Sequence, residues 1–473
     1  MEQPNNHPAR TVAVIGAGPV GLAAAAHLVK RGITPIVLEK GDGPAAAVRA
    51  WGQVRLFSPW KFNIDSAAHE LLDRAGWSEP EPDEHPTGNE LAENYLSPLA
   101  TLPGIKEHIR YQAEVVAVTR QGIDKTRTLG REGTPYLIRA RINGGYEDVV
   151  ADAVIDASGT WDHANPLGTG GLAVPGEETI DAHLAGPLPD VTGTDRERFA
   201  GKHTLVVGAG HSAANTILAL VELADDSPST KISWAIRSSS ARKVYGGGDD
   251  DALPERGRLG SRLKEAVASG KVTLHKEFRI ESFQRKDDRL QVEATGGGKP
   301  IALTVDWIAA ATGFRPGLDM LREIRLDLDP VVEAPARLGE FIDPNFHSCG
   351  TVPPHGEREL AHPDANFYLA GMKSYGRAPT FLLATGYEQV RSIVAALAGD
   401  REAADRVELQ LPETGVCSTD AADEAAGDDD GCGTSCDVAP PSRGLATGVI
   451  HGREGDEQSE SPEAEKSRDS CCS

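Results

Sequence analysis

Two glycine-rich turns, each between an apolar run and a helix-forming run, constrain this chain more than any other feature. The first is Gly16-Ala17-Gly18-Pro19-Val20-Gly21, after Val12–Ile15. The second is Gly208-Ala209-Gly210-His211-Ser212-Ala213, after Leu205–Val207. Glycines between a strand and a helix let the backbone approach a pyrophosphate, and the helix N-terminus offers free N–H groups. Two copies predict two bound dinucleotides, and hence electron transfer between them.

The residues that follow each unit's second strand differ in charge. Glu39 ends the strand at Pro35–Leu38, where a carboxylate accepts hydrogen bonds from ribose hydroxyls and repels a 2′-phosphate. The first turn therefore suits FAD or NAD. Arg237 ends the corresponding strand at Ile232–Ile236 and is followed by three serines, which suits the 2′-phosphate of NADPH.

Two further strands end in a small residue, a hydroxyl and a glycine. These segments are Ala157-Ser158-Gly159 and Ala311-Thr312-Gly313. Small residues at a strand end let the backbone pass close to a cofactor, so both segments are candidates for the two sites. The alternative is an ordinary turn that ends each strand.

Composition excludes several classes of function. The net charge of −23 disfavours nucleic acid or an anionic membrane as the main partner, because both select basic surfaces. No apolar stretch approaches the roughly 20 residues that span a bilayer, and the polar N-terminus lacks the apolar segment of a signal peptide. A cytoplasmic protein is expected.

The C-terminal segment 412–473 differs in composition from the rest of the chain. It carries 15 acidic and 4 basic residues and almost no large apolar side chains, so it is predicted to be a disordered acidic tail. Five of the six cysteines lie in it: Cys417, Cys432, Cys436, Cys471 and Cys472. Thiolates bind thiophilic metals and metalloids, so this tail is either a soft-ligand site or a segment with incidental cysteines.

The order of motifs from about residue 10 to residue 400 resembles the two-dinucleotide-binding flavoproteins, the group that includes flavin-containing monooxygenases and glutathione-reductase-like enzymes. The first turn with Glu39 resembles their FAD site, and the second resembles the NADPH turn of the monooxygenases. Val305–Phe314 and Phe367–Gly371 resemble two later strands of the same group. Cofactors FAD and NADPH follow from the resemblance.

The fold class predicted from this resemblance is α/β, with two Rossmann-like domains and the NADPH domain inserted in the FAD domain. The expected boundaries are 1–165 for the first part of the FAD domain, 166–310 for the NAD(P)H domain, 311–411 for the second part of the FAD domain, and 412–473 for the tail.

The predicted cofactor-binding residues combine the turns, the strand ends and positions that the resemblance implies. They are Gly16, Gly18, Pro19, Val20, Gly21, Glu39, Lys40, Trp51, Arg55, Val116, Ser158, Gly159, Gly208, Gly210, His211, Ser212, Ala213, Arg237, Thr312, Gly313 and Gly371. Lys373, Tyr375 and Arg377 are additional candidates for the wall of the flavin site. No catalytic side chain is assigned, because a flavin performs the difficult step itself, and no metal site is assigned.

The predicted function is an NADPH-dependent FAD oxidoreductase, monooxygenase-like, that acts on a small molecule. The main body holds only Cys349, so it lacks the cysteine pair of the disulfide reductases. Two alternatives are a flavin reductase of a thiol or thiophilic metal that uses the tail cysteines, and a non-catalytic metal-binding or redox-sensing flavoprotein.

Overall fold

The protein is described by a computed structural model that covers residues 9–246, 254–343, 352–378 and 381–409. The strands of these residues are β1 Thr11–Ile15, β2 Thr34–Leu38, β3 Ile109–Arg110, β4 Ala113–Arg120, β5 Tyr136–Ile142, β6 Gly145–Ala151, β7 Ala153–Asp156, β8 Leu184–Ala185, β9 His203–Val207, β10 Lys231–Ala235, β11 Thr273–His275, β12 Arg279–Lys286, β13 Arg289–Gly296, β14 Lys299–Val305, β15 Trp307–Ala310 and β16 Phe367–Leu369.

The helices range from single turns to four turns. They are α1 Pro19–Lys30, α2 Ala46–Arg49, α3 Ser66–Arg74, α4 Gly88–Leu91, α5 Ser97–Thr101, α6 Arg196–Phe199, α7 His211–Asp226, α8 Arg242–Tyr245, α9 Pro254–Ala268, α10 Ala336–Ile342, α11 Glu357–Leu360, α12 Leu383–Leu397 and α13 Arg401–Asp405. A capping box between Thr87 and Glu90 begins α4.

Two parallel five-stranded sheets form the framework. One has the order β16-β7-β1-β2-β3 and the other the order β11-β10-β9-β15-β8. Strands β8 to β15 lie in the chain between β7 and β16, which belong to the first sheet, so the second nucleotide unit is inserted in the first, as predicted. The exact domain boundaries stay predictions.

Two antiparallel three-stranded sheets accompany the parallel ones. They have the orders β4-β5-β6 and β12-β13-β14. The first packs on one face of the first parallel sheet through Tyr136 and Ile138, which are fully buried with Phe367 in one apolar cluster. The other face of that sheet carries α1, whose alanines and leucines are fully buried, and α12, which buries Val390, Ile393 and Val394.

The alanine run of α1 explains how closely this helix packs. Ala23, Ala24, Ala25 and Ala26 are all fully buried. Side chains of one carbon keep the helix near the sheet, which brings its N-terminus directly to the end of β1. The position of the first turn therefore depends on the packing of these alanines as well as on the glycines of the turn.

The strand predicted over Val305–Ala311 is divided in the structure. β14 ends at Val305 and β15 begins at Trp307. Between them the Asp306 carboxylate accepts hydrogen bonds from His203 N at 2.7 Å and Arg289 Nε at 3.1 Å. These bonds hold the bend at which the chain leaves an antiparallel hairpin and enters the parallel sheet.

Candidate functional site: two dinucleotide turns

The first turn requires glycine at its first position. Gly16 has φ +99°, and a methyl group there would lie 2.9 Å from Ala157 O. The turn is therefore pressed against the end of β7, which is a neighbour of β1 in the sheet. This close approach brings the predicted residues Ser158 and Gly159 beside the predicted glycine turn.

The N-terminus of α1 fits an anionic group. Gly18 is its N-cap residue, no side chain caps it, and the first turn holds no acidic residue. Pro19 occupies a position where its missing N–H costs nothing. The remaining N–H groups and the positive end of the helix dipole suit a pyrophosphate.

Glu39 is held in place by the turn itself. Its Oε2 accepts a hydrogen bond from Ala17 N at 2.6 Å and its Oε1 accepts one from Gly41 N at 2.7 Å. Each carboxylate oxygen keeps a further lone pair that can accept from a ribose hydroxyl. Burial and the neighbouring Glu39 charge raise the pKa of Tyr111, a residue that the sequence did not single out.

Two further predicted residues, Val116 and Lys40, lie at a strand bulge and directly after Glu39 in the chain. The pairing of β4 with β5 skips from Val115 to Ala117, so Val116 is left out of the ladder at a bulge. Such bulges occur beside binding sites, where they free backbone groups. Lys40 forms an exposed ion pair with Asp162 at 2.6 Å. An open cleft of about 400 Å³ nearby is lined by Lys40, Gln112, Glu114, Arg141, Asn143 and Gly144.

Gly371 also reaches the first turn. A methyl group on Gly371 would lie 3.1 Å from Val20 Cγ2, and one on Gly386 in α12 would lie 2.6 Å from the same atom. The start of α12 therefore meets the start of α1. Gly371 itself is fixed from behind, because its N–H donates to Gln389 Oε1 at 2.8 Å.

Trp51 and Arg55 contact a different segment. The Trp51 ring packs on Gly88, and Arg55 forms an isolated bridge with Thr87. The Arg55 guanidinium also donates to His85 O. These contacts tie the loop after β2 to the start of α4, so the assignment of both residues to a cofactor stays a prediction.

The second turn repeats the backbone of the first. Gly208 has φ +137°, and a methyl group there would lie 2.0 Å from Ala311 O. Gly210 is the N-cap of α7, without a side-chain cap or an acid in the first turn. Ala213, which stands where the first turn has its third glycine, is fully buried.

The other predicted residues of this turn lie on its outer side. His211 begins α7, is exposed, and contacts the edge of Phe57 at a ring-centroid distance of 5.0 Å. Ser212 follows it in the first turn of the helix. Phe57 belongs to the aromatic-rich loop after β2, so this loop touches the N-terminus of α7.

Trp234 is the residue of the second turn that sequence reasoning missed. It is fully buried on β10, and its indole N–H donates to Gly208 O at 2.8 Å. A tryptophan in a strand ordinarily indicates a core residue, so only the tertiary contact shows that Trp234 holds the second turn. Arg237 follows β10 and is exposed, and the serines after it bond to their own backbone.

Thr312 and Gly313 join the two sheets. Thr312 Oγ1 donates to Asn165 O, and Asn165 N donates to Gly313 O at 2.9 Å. Trp161 stacks on Phe314 in the same region at 5.2 Å. The chain segments that lead into and out of the inserted sheet therefore pair side by side.

Neither a metal cluster nor a membrane span is found in the part of the chain that the structure describes. Its His, Asp and Glu side chains form no group of three that could hold an ion. None of its helices has the length and apolar character that crossing a bilayer requires. Cys349 and the tail cysteines lie outside the described residues.

Comparison with known proteins agrees with this geometry. The chain is 25% identical over 245 residues to a flavin-containing monooxygenase, FMO GS-OX-like 2, of Arabidopsis thaliana, a match that covers 47% of this chain and 50% of the relative. It is 28% identical over 211 residues to an indole-3-pyruvate monooxygenase, YUCCA1, of Oryza sativa subsp. japonica, covering 44% of each chain. The chain thus spans about half the length of the curated relatives that it matches.

Solved structures share the fold over most of the chain. Bacillithiol disulfide reductase from Bacillus cereus superposes with a TM-score of 0.62 at 18% identity, covering 82% of this chain and 99% of that one. This likeness shows the fold, and it confirms the predicted arrangement of two dinucleotide-binding units.

The sequence profile described as pyridine nucleotide-disulphide oxidoreductase matches residues 13–334. This stretch contains both turns, Glu39, Arg237 and the paired linkers. The predictions of an enzyme, of an FAD-containing oxidoreductase fold and of dinucleotide cofactors are confirmed at this level. The chain belongs to the pyridine nucleotide-disulphide oxidoreductase family.

Proposed function

We propose that this protein binds FAD at the first turn and NADPH at the second, and that it is a monooxygenase-like oxidoreductase for a small molecule. The observation that carries the proposal is the pair of matching turns with opposite charges after their second strands, Glu39 at one and Arg237 at the other. The two monooxygenase relatives support the choice of reaction.

At the first turn, the residues bind and orient. The N–H groups at the start of α1 receive the pyrophosphate, and Glu39 accepts the ribose hydroxyls while Ala17 and Gly41 hold its carboxylate still. Val116 offers backbone groups at the bulge of β4 to the adenine edge. FAD supplies a two-electron acceptor when it is bound.

At the second turn, Gly208 and the start of α7 receive the pyrophosphate of NADPH, and Arg237 pairs with its 2′-phosphate. A guanidinium forms charge-assisted bonds to phosphate that a 2′-hydroxyl cannot match. In the net reaction, NADPH, a proton, oxygen and the substrate give NADP⁺, water and the oxygenated product. Residues 13–334 contain no cysteine, so this stretch offers no dithiol to relay the electrons.

Anaerobic mixing of the purified protein with NADPH tests the proposal. We expect the protein to be yellow and its visible absorbance to bleach on mixing, and to return when air and a candidate substrate are added, with one oxygenated product per NADPH. A colourless protein that does not take up FAD would contradict the flavin site. Return of colour with hydrogen peroxide only, across a panel of amine, sulfide and keto-acid substrates, would contradict monooxygenation.

The tail supports a second candidate function, reduction of a thiol or thiophilic metal ion. Cys432 and Cys436 are spaced by three residues, and Cys471 and Cys472 are adjacent, which suits soft ions. All four lie outside the described residues. Turnover with a thiophilic ion that is lost in a Cys471→Ser/Cys472→Ser variant would favour this function, and no turnover with such ions, or turnover that the variant retains in full, would contradict it.

A further inference from the structure

A buried ion pair lies at the carboxyl ends of β7 and β16. Lys373 Nζ is 2.6 Å from Asp156 Oδ2, with the lysine side chain 1% exposed and the aspartate fully buried. Lys373 Nζ also donates to Ser158 Oγ at 3.1 Å. Asp156 ends β7, and its Oδ1 accepts from Ser158 Oγ at 2.7 Å. The three side chains form one polar cluster, in which Asp156 and Lys373 are buried and Ser158 is exposed.

This cluster stands directly against the first turn. A methyl group on Gly16 would lie 3.2 Å from Ser158 Cα, so Ser158 packs on the glycine that opens the turn. Gly371, two residues before Lys373, packs on Val20 in the first turn of α1. The ammonium group of Lys373 is therefore enclosed by the same elements that surround the N-terminus of α1.

The segment that carries Lys373 is held rigidly from the other side. Ser374 Oγ donates to Gly371 O at 2.7 Å, and Gln389 Nε2 donates to Ser374 Oγ at 2.9 Å. Gln389 also accepts from Gly371 N. Bonds on both sides of Lys373 fix its backbone, so its side chain is preorganised toward the turn.

A contribution to stability does not by itself explain why the Lys373–Asp156 pair is buried. Burying two charges costs desolvation that their attraction roughly offsets, and apolar replacements of buried pairs are often as stable. A lysine ammonium has three N–H donors, and the two bonds to Asp156 and Ser158 use two of them. Among the described residues the third has no hydrogen-bond partner, and an anion gains most from a fixed, buried cation.

We propose that Lys373 is a positioning residue for FAD: Asp156 and Ser158 orient its ammonium group, which donates to the cofactor's pyrophosphate beside the N-terminus of α1. This inference rests on the proposed FAD site and assigns it a cation that neither the glycine turn nor Glu39 provides. Asp156 and Ser158 act through Lys373. Asp156 balances the buried charge of the ammonium group, and both residues hold the lysine side chain in one rotamer.

The first test is the dissociation constant of FAD for the FAD-stripped full chain. The variant Lys373→Met/Asp156→Asn removes both charges together, so that no unpaired charge is left buried. We expect it to bind FAD at least roughly tenfold more weakly than the unchanged protein, while the unfolding temperature without FAD stays the same. Lys373→Arg should retain most of the affinity. A matched control, Lys30→Met, removes the lysine of the exposed Lys30–Glu70 pair and should change nothing.

The second test is phosphorus NMR of bound FAD in Lys373→Arg and Ser158→Ala, which keep the buried charges paired. We expect the pyrophosphate resonances to shift in both variants and to stay unchanged in Lys30→Met. Unchanged resonances in both, or a double variant that binds FAD as tightly as the unchanged protein, would overturn the role of Lys373. An unchanged protein that binds no FAD at all would instead refute the flavin site itself.

Discussion

The two nucleotide turns share a backbone and differ in what stabilises it. At the first, Glu39 accepts a bond from the Ala17 N–H of the turn, and the Lys373–Asp156 pair lies behind the turn. At the second, the neutral indole of Trp234 bonds to the Gly208 carbonyl, and the charge of Arg237 is outside on the surface. The turns thus share their backbone, and the charges of the surrounding side chains carry the proposed difference between FAD and NADPH.

The largest expected effects come from adding a methyl group to the first glycine of each turn, in separate variants. Gly16→Ala and Gly208→Ala both place a methyl group against a backbone oxygen at positive φ, a strain of about 1–3 kcal/mol before the clash is counted. We expect Gly16→Ala to lose FAD. Gly208→Ala should keep FAD and bind NADPH roughly 100-fold more weakly. Flavin content and the rate of anaerobic bleaching measure the two losses.

The matched pair of variants also shows how the comparison could fail. If Gly208→Ala lost FAD while Gly16→Ala retained it, the two turns would have the opposite assignments. If both variants lost FAD, the turns would not act independently.

Arg237→Ala tests the charge difference. Removing a charged partner of a phosphate costs about 1.5–3 kcal/mol, so the KM for NADPH should rise roughly 10- to 100-fold. The KM for NADH should change little, because NADH lacks the 2′-phosphate. Arg242→Ala, five residues further along the chain, serves as the control. Equal effects of Arg237→Ala on both nucleotides would remove the assignment of Arg237.

A buried histidine behind Gly371 should make the stability of the protein fall at acidic pH. His355 is 3% exposed, and its Nε2 bonds to the Gln389 amide that holds Gly371 N. Burial lowers the pKa of His355 below its ordinary 6.5, although the carboxylates of Glu359 and Glu388 partly oppose this. As pH falls below about 6.5, the unfolded chain takes up a proton that the folded chain does not, so stability declines by up to about 1.4 kcal/mol per pH unit.

His355→Gln should flatten this part of the pH profile. The free energy of unfolding is measured between pH 5 and pH 7 in both proteins. Contributions from His203 and His275 of the second sheet, whose pKa values burial also lowers, cancel in the difference. His69→Gln, at an exposed histidine paired with Glu79, is the control. An unchanged slope in His355→Gln would show that this histidine does not set the acid sensitivity.

The smallest expected effect is at Trp234. Trp234→Phe keeps an aromatic ring and removes the one N–H that bonds to Gly208 O, a loss of about 1 kcal/mol. NADPH should bind roughly fivefold more weakly, with FAD content unchanged. Isothermal titration with NADP⁺ measures the change. A variant with unaltered NADP⁺ affinity would show that the glycine turn needs no support from its neighbour.

The features predicted well from the sequence are local ones. The two turns and the strands before them depend on residues within a few positions of each other. β12 was missed because charged residues alternate with its apolar ones, and β14 was missed because it begins with exposed Lys299 and Pro300. Their partners, rather than their composition, make them strands.

The supporting residues of both sites depend on contacts that no local pattern encodes. Lys373 and Asp156 are 217 residues apart, and the fold alone brings β7 and β16 together. The available signal was an acid at the end of the apolar run Val154–Asp156, which is unusual for a buried parallel strand. Lys373 was considered as a wall of the flavin site, but its ionic partner could not be named.

The paired linkers at Asn165 and Gly313 have a consequence for how this molecule can change. The segments that enter and leave the inserted second nucleotide unit lie side by side, since Asn165 N donates to Gly313 O. Cutting the chain there and grafting a module of different coenzyme preference would leave every strand of the host sheet in its present register. Evolution or engineering can thus exchange the inserted unit without rebuilding the first sheet.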